Sequence, residues 1–197
     1  MKTNFTFIVL MAVSLILPMN NNVMAQDEDE FEIIKCVRFE AGIVYAKGFY
    51  HAPKNDQGYR ISYAYGIKPA SRLGIGLGTD INLFENETIV PVYLNTLLFL
   101  REKKSTLYLD LKAGYSLVWT KTSFTDYETY NYKGGPSFTA GIGRRFAINE
   151  KFCFSLKAAY TSQFAKVDFN YPGERTTSEK LQYNLFSLSF GLMLEQK

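Results

Sequence analysis

The sequence predicts an all-β fold, a single eight-stranded, antiparallel, up-and-down transmembrane β-barrel. Three observations predict it. Eight segments after residue 36 alternate greasy with small or polar residues at period two; the two faces of these segments differ in volume as well as polarity; and the connections are mostly short at one end and long at the other. Hydrophobic residues make up 47% of the 197-residue chain. No stretch beyond residue 25 is continuously apolar for the ~20 residues a spanning helix needs, so the apolar content must be spread over strand faces.

The segments are 37–48, 59–67, 72–83, 88–100, 106–120, 134–148, 152–168 and 181–194. Connections after the second, fourth and sixth are short, and those after the first, fifth and seventh (49–58, 121–133, 169–180) are long. The connection after the third, Phe84 to Glu87, is short and departs from the pattern. Helix caps and 3.6-residue stripes are not evident.

Volume decides which face is outside. In the third segment Leu73, Ile75, Leu77, Ile81 and Leu83 oppose Gly74, Gly76, Gly78, Asp80 and Asn82. A water-facing surface of three glycines would weaken a soluble strand without packing anything. Small residues do fit inside a narrow closed barrel, with the bulky residues turned to lipid. The eighth segment repeats this, with Phe186, Leu188, Phe190, Leu192 and Leu194 against Ser187, Ser189 and Gly191. A closed sheet also removes the edge groups that hydrocarbon penalises. Tyr45, Tyr63, Tyr115, Trp119 and Tyr160 fall toward the long-loop end as an interfacial girdle. The competing reading is a secreted soluble barrel of the lipocalin type, greasy face inward, and the glycine-rich faces argue against it.

The N-terminus reads as a secretory signal peptide, residues 1–25: Lys2, an apolar run from Phe5 to Leu17, and the small-residue site Val23-Met24-Ala25. Residues 26–36, with Asp27-Glu28-Asp29-Glu30, read as an acidic periplasmic leader, and 37–197 as the barrel domain. The net charge is +3, and its charges are scattered, so no basic patch points to nucleic acid.

Pro91-Val92-Tyr93-Leu94-Asn95 opening a strand, the hairpin after it, and the final Ser187-Leu188-Ser189-Phe190-Gly191-Leu192-Met193-Leu194 resemble the small outer-membrane β-barrels of Bacteroidetes-type bacteria. They are broadly similar to the membrane domain of outer-membrane protein A and to the outer-membrane protein X group. The resemblance implies a monomer in the cell outer membrane with both termini in the periplasm. Its implied partners are outer-membrane lipid and lipopolysaccharide, the barrel-insertion machinery, and host or extracellular ligands at the loops, with no nucleic acid. Such barrels end on an aromatic residue, whereas this chain ends Leu194-Glu195-Gln196-Lys197.

Inward parity places Arg38, Glu40, Arg60, Asp80, Asp110, Lys112, Arg145 and Lys157 in the lumen, where charges must pair or stay hydrated. The expectation is an ionic and hydrogen-bonded network that plugs the barrel. Phe124, Tyr127, Tyr130, Tyr132 and Tyr171 are the recognition candidates, since tyrosine on a rigid scaffold offers contact area at low entropic cost. A structural or surface-recognition role through the long loops is therefore expected. The alternatives are a narrow passive channel and a lipid-A-modifying enzyme. The single histidine, His51, with Ser123, Asp126 and Glu128 as its possible partners, shows no fixed catalytic motif, so no catalytic residue, metal or cofactor is assigned. Gly74-Ile75-Gly76-Leu77-Gly78 lacks the following helix of a dinucleotide fingerprint. Cys36, just before the first strand, and Cys153 would stand near the periplasmic mouth on strands that are second neighbours, about 9–10 Å apart. That is too far for a disulfide unless Cys36 bends inward.

Overall fold

The computed structural model describes residues 33–49, 56–85, 87–103, 105–120, 129–171 and 175–196. Nine strands form: β1 (Ile34–Phe49), β2 (Asp56–Ala70), β3 (Leu73–Leu83), β4 (Glu87–Phe99), β5 (Thr106–Thr120), β6 (Thr129–Lys133), β7 (Gly135–Ala147), β8 (Phe152–Tyr171) and β9 (Arg175–Gln196). Every neighbouring pair is antiparallel. β9 pairs with both β8 and β1, so the ring β1–β2–β3–β4–β5–β7–β8–β9 closes as an eight-stranded barrel. β6 is a short addition that pairs with β8 above the point where β7 leaves it.

Local chemistry explains the turns at the lower end, where β2–β3, β4–β5 and β7–β8 connect. The Asn149 side-chain oxygen accepts from the Lys151 and Phe152 amides at 2.9 and 2.8 Å, an Asx-type turn. The Thr106 hydroxyl accepts from the Arg101 amide at 3.1 Å and closes the β4–β5 connection. At the upper end the Phe84 amide donates to the Glu87 carbonyl at 2.9 Å in the tight β3–β4 connection. Pro91, which has no amide to donate, sits where the β3–β4 ladder skips from Thr79–Val92 to Asn82–Ile89, and the Thr79 hydroxyl donates to its carbonyl at 3.0 Å.

Two segments expected as long loops are strand instead. The 169–180 connection is a tight hairpin, because β8 runs to Tyr171 and β9 starts at Arg175. Within the 121–133 connection, residues 129–133 form β6. The reason is a bulge: Lys133 pairs with Lys166 and Ser137 with Gln163, so three residues (134–136) face two (164, 165). The bulge turns β6 off β5 and leaves it on β8. β1 likewise begins at Ile34, so Cys36 lies within the strand and its side chain is buried inside. At the start of β9 the reason is that Arg175-Thr176-Thr177-Ser178-Glu179-Lys180 is polar throughout and offers no alternation to read, whereas Thr129–Lys133, residues 167–171 and residues 34–36 do alternate but over stretches too short to stand out.

Outward side chains form a continuous apolar band. Phe39, Ile61, Leu77, Leu94, Leu111, Ile142, Leu156 and Leu188, from all eight barrel strands, are each 41–61% exposed or close to it, and many others join them. Such a girdle far exceeds the few hundred Å² of apolar patch that a soluble monomer tolerates.

Candidate functional site

The lumen is filled by side chains in three tiers. In the middle tier seven ionic side chains, Arg38, Glu40, Arg60, Asp80, Asp110, Lys112 and Lys157, are all at most 4% exposed. Four of them form a closed cycle: Arg38 lies 3.3 Å from Asp110 and 3.6 Å from Glu40, and Lys157 joins Glu40 and Asp110, the latter at 2.8 Å. β1 and β5 stand on opposite sides of the ring, so the Arg38–Asp110 pair bridges the barrel's full width. Lys112 donates to both oxygens of Asp80 at 3.0 and 3.1 Å and to the Tyr93 hydroxyl at 2.9 Å. The Tyr93 hydroxyl in turn donates to Asp80 at 2.6 Å, and the lysine lies 4.1 Å over its ring. Arg60 donates to Asn82 at 2.6 Å and Ser187 at 2.8 Å. Charges this deep persist because each has an opposite charge within 4.0 Å.

Glycine makes room for these groups. A Cβ at Gly78 would stand 2.7 Å from the Tyr93 ring, and one at Gly143 would overlap the ring of Tyr108. The small residues opposite the greasy face therefore act as sockets for lumen aromatics.

Arg145, expected in the same network, belongs to a separate lower tier. It pairs with Glu195 at 2.5 Å, donates to the Lys103 carbonyl at 3.2 Å and lies 4.2 Å over the Phe99 ring. Lys68 shares Glu195 at 3.0 Å and its ammonium lies 5.0 Å from the centre of the Phe99 ring. Cys36, Leu97, Tyr108, Cys153 and Met193 pack around this group. Neither cysteine is in a disulfide, and β9 runs between them. A void of about 20 Å³ beside Cys36, Arg38 and Asn95 has room for about one water.

The upper tier departs from the polar lumen that parity alone predicts. Val44, Ala46, Phe84, Ile89, Val118, Ala165, Val167, Leu181, Tyr183 and Leu185 form one buried apolar cluster, with Tyr132 packed against it. Glu87 is buried at its edge, where the Tyr183 hydroxyl donates to its carboxylate at 3.4 Å and Tyr132 adds a hydrogen bond. Burial raises the Glu87 carboxyl above the usual carboxylate range, and the tyrosine bond opposes that rise only in part.

Of the loop candidates, Tyr132 faces the apolar cluster from β6, while Tyr130 and Tyr171 lie in β6 and at the end of β8. Phe124 and Tyr127, together with His51, Ser123, Asp126 and Glu128, lie outside the described residues, as do the signal and leader segments. Sequence reasoning put Asn82 on the inward face without assigning it to the network, and it left out Tyr93, Asn95, Lys68, Glu87 and Glu195. Asn82, Tyr93 and Asn95 carried a usable signal, polar groups at inward parity beside the assigned charges. Lys68 and Glu195 sit at strand ends, where no alternation marks a face.

Solved structures share this architecture. The chain is similar to Neisserial surface protein A (TM-score 0.60, 11% identity, 81% of this chain and 96% of that chain). It is also similar to the outer membrane protein OprG from Pseudomonas aeruginosa (TM-score 0.55, 10% identity, 82% and 95%). A third is the outer membrane protein AlkL, solved by solid-state NMR in DMPC bilayers (TM-score 0.52, 16% identity, 91% and 97%). No protein-family model and no curated protein matches the chain. At such identities the likeness is one of fold: a closed eight-stranded antiparallel β-barrel of the kind found among outer-membrane proteins.

Proposed function

We propose that the chain resides in the outer membrane as a monomeric barrel without a through-pore, with a structural or surface-recognition role at its upper, extracellular end. The reading keeps the chain among small barrels of the Bacteroidetes type, with the short turns and both ends of the barrel on the periplasmic side. One observation carries it: an outward apolar girdle encloses a lumen closed twice over, by buried ion pairs at mid-height and by an apolar cap above them. Ions crossing would have to break the Arg38–Asp110–Lys157–Glu40 cycle and then pass Ile89, Tyr183 and Leu185. No catalytic role is assigned. The test is a planar-bilayer recording on the purified full-length protein: only small, rare current steps are expected, and large stable single-channel currents would overturn the reading in favour of a channel. For recognition, the measurement is binding of cells or matrix proteins by a variant lacking residues 121–128. Undiminished binding would move the interaction off that segment.

A further inference from the structure

Above the apolar girdle the outward face of the β6–β8–β9 sheet carries a row of lysines that nothing in the barrel's own architecture requires. Lys133 pairs directly with Lys166, and Lys166 pairs directly with Lys180, so three ammonium groups lie side by side across three adjacent strands. Side chains directly opposite in an antiparallel sheet stand about 4.5–5.5 Å apart at Cβ, and like charges there are destabilising. Among the described residues one carboxylate answers them. Asp168 pairs with Lys133 at 2.7 Å and with Lys166 at 3.2 Å, and also accepts from the Ser178 hydroxyl at 2.6 Å. Lys180 is exposed, and among the described residues the row keeps an excess of about two positive charges.

Its height is what identifies the partner. The outermost large outward apolar residue of β8 is Phe164, two residues below Lys166, and that of β9 is Phe186, below Lys180. At about 3.3 Å per residue and a tilt of about 40°, β8 rises about 35 Å from Phe152 to Lys166. An apolar band of about 25 Å measured from Phe152 ends near Ser162. The lysines therefore stand about 8–10 Å above the hydrocarbon edge, at the level of lipid headgroups.

We infer that Lys133, Lys166 and Lys180 form a docking row for the phosphate groups of lipids in the surrounding outer leaflet, which balance the positive charge left over by the one carboxylate, Asp168, that Lys133 and Lys166 share. The occupant is a membrane lipid with an exposed phosphate, because the row is continuous with the lipid-facing girdle and lies at headgroup height on the outer surface, away from the lumen. The inference rests on the outer-membrane reading above and adds a specific lipid contact to it.

The full-length protein, purified in detergent, is titrated with phosphatidic acid and with zwitterionic phosphatidylcholine, and bound lipid is counted by native mass spectrometry. Wild type is expected to retain phosphatidic acid at least about tenfold better than the Lys133→Gln/Lys166→Gln/Lys180→Gln variant, as loss of three cations from an anionic surface implies. Phosphatidylcholine retention is expected to be equal for both. A control variant with exposed cations removed from the opposite rim, Arg72→Gln/Arg101→Gln, should behave as wild type. Equal retention of phosphatidic acid by all three proteins overturns the inference, and so does its displacement by millimolar inorganic phosphate, which would make the row a site for a free anion. Co-flotation with phosphatidylcholine vesicles keeps the two readings apart. A protein that floats but shows no preference for phosphatidic acid loses only the lysine row, whereas one that fails to float loses the membrane reading itself.

Discussion

The lower and upper halves of the β8–β9 hairpin are built with opposite polarity. In the lower half the inward positions are Ser155, Lys157, Thr161, Gln163, Ser187 and Ser189, and the outward ones are Phe154, Leu156, Tyr160, Phe186, Leu188 and Phe190. From Ala165 upward on β8 and already from Leu185 upward on β9, opposite Thr161, the inward positions become Ala165, Val167, Leu181, Tyr183 and Leu185, and the outward ones above Phe164 and Asn184 become Lys166, Asp168, Lys180 and Gln182. The pairing register runs unbroken through the change, from Phe152–Leu194 to Tyr171–Arg175. Backbone geometry is therefore common to both halves, and on the proposed outer-membrane reading it is the surrounding solvent that differs. Where lipid lies outside, apolar side chains gain nothing by turning inward, and the lumen is left to polar groups. Where water lies outside, the hydrophobic effect drives the same face into a core. The seam itself is covered: Asn184 has outward parity but is buried, and the Tyr160 hydroxyl donates to its side-chain oxygen at 2.6 Å.

The strongest way to break this comparison is to remove a charge from the lower half. Asp110→Ala strips Arg38 and Lys157 of a shared partner inside the barrel and should cost about 3–5 kcal/mol, read as urea unfolding in lipid vesicles. In the upper half the equivalent injury is apolar. Leu185→Ala opens a hole in a fully buried cluster and should cost about 2–5 kcal/mol in the same assay. A lysine scan along one strand sharpens the boundary. Leu188→Lys, outward in the girdle, should cost about 2–4 kcal/mol, while Gln182→Lys, outward above the seam, should be close to neutral. Comparable costs at the two positions would place the lipid boundary elsewhere.

The smallest effect expected concerns pH. Glu87, in the apolar cap, holds its proton to higher pH than it would in the unfolded chain, because burial disfavours the charged form. The folded state thus binds more protons than the unfolded state between the two values. This group's contribution to stability is greatest below the ordinary carboxylate range, falls as pH rises toward the folded value, and is level beyond it. Glu87→Gln should flatten that part of the stability profile. An unchanged slope would show that the carboxyl titrates as it does in water. Asp168 is held well below the usual carboxylate range by Lys133 and Ser178 on the exposed face. Asp168→Asn should act chiefly by freeing both lysines, seen as a stronger salt dependence of phosphatidic acid retention.

Much of this architecture could be read from residues alone. In Thr106 to Thr120 the alternation of Leu107, Leu109, Leu111 and Leu117 with Asp110, Lys112 and Ser116 assigns inside and outside correctly, because membrane and lumen sort side chains at period two. The grouping of charges was legible in part. Parity puts Arg145 and Lys157 on the same face as Asp110, yet Arg145 answers Glu195 and Phe99 below, since vertical position depends on strand stagger that composition does not encode. The apolar cap was not legible as a cap. Its members come from β1, β4, β5, β8 and β9 and the β3–β4 connection, and each looks locally like another greasy residue.

By itself the sequence determined the number of barrel strands, the face each turns outward and eight of the charges that end up buried, because these follow from side-chain period and volume within one strand, while buried Lys68 and Glu87 near strand ends escaped it. The tertiary structure decided which charges meet, where lipid-facing polarity gives way to water-facing polarity, and that Lys133, Lys166 and Lys180 stand in one row. Those outcomes depend on stagger between strands and on closure of β9 against β1, which bring together residues far apart in the chain.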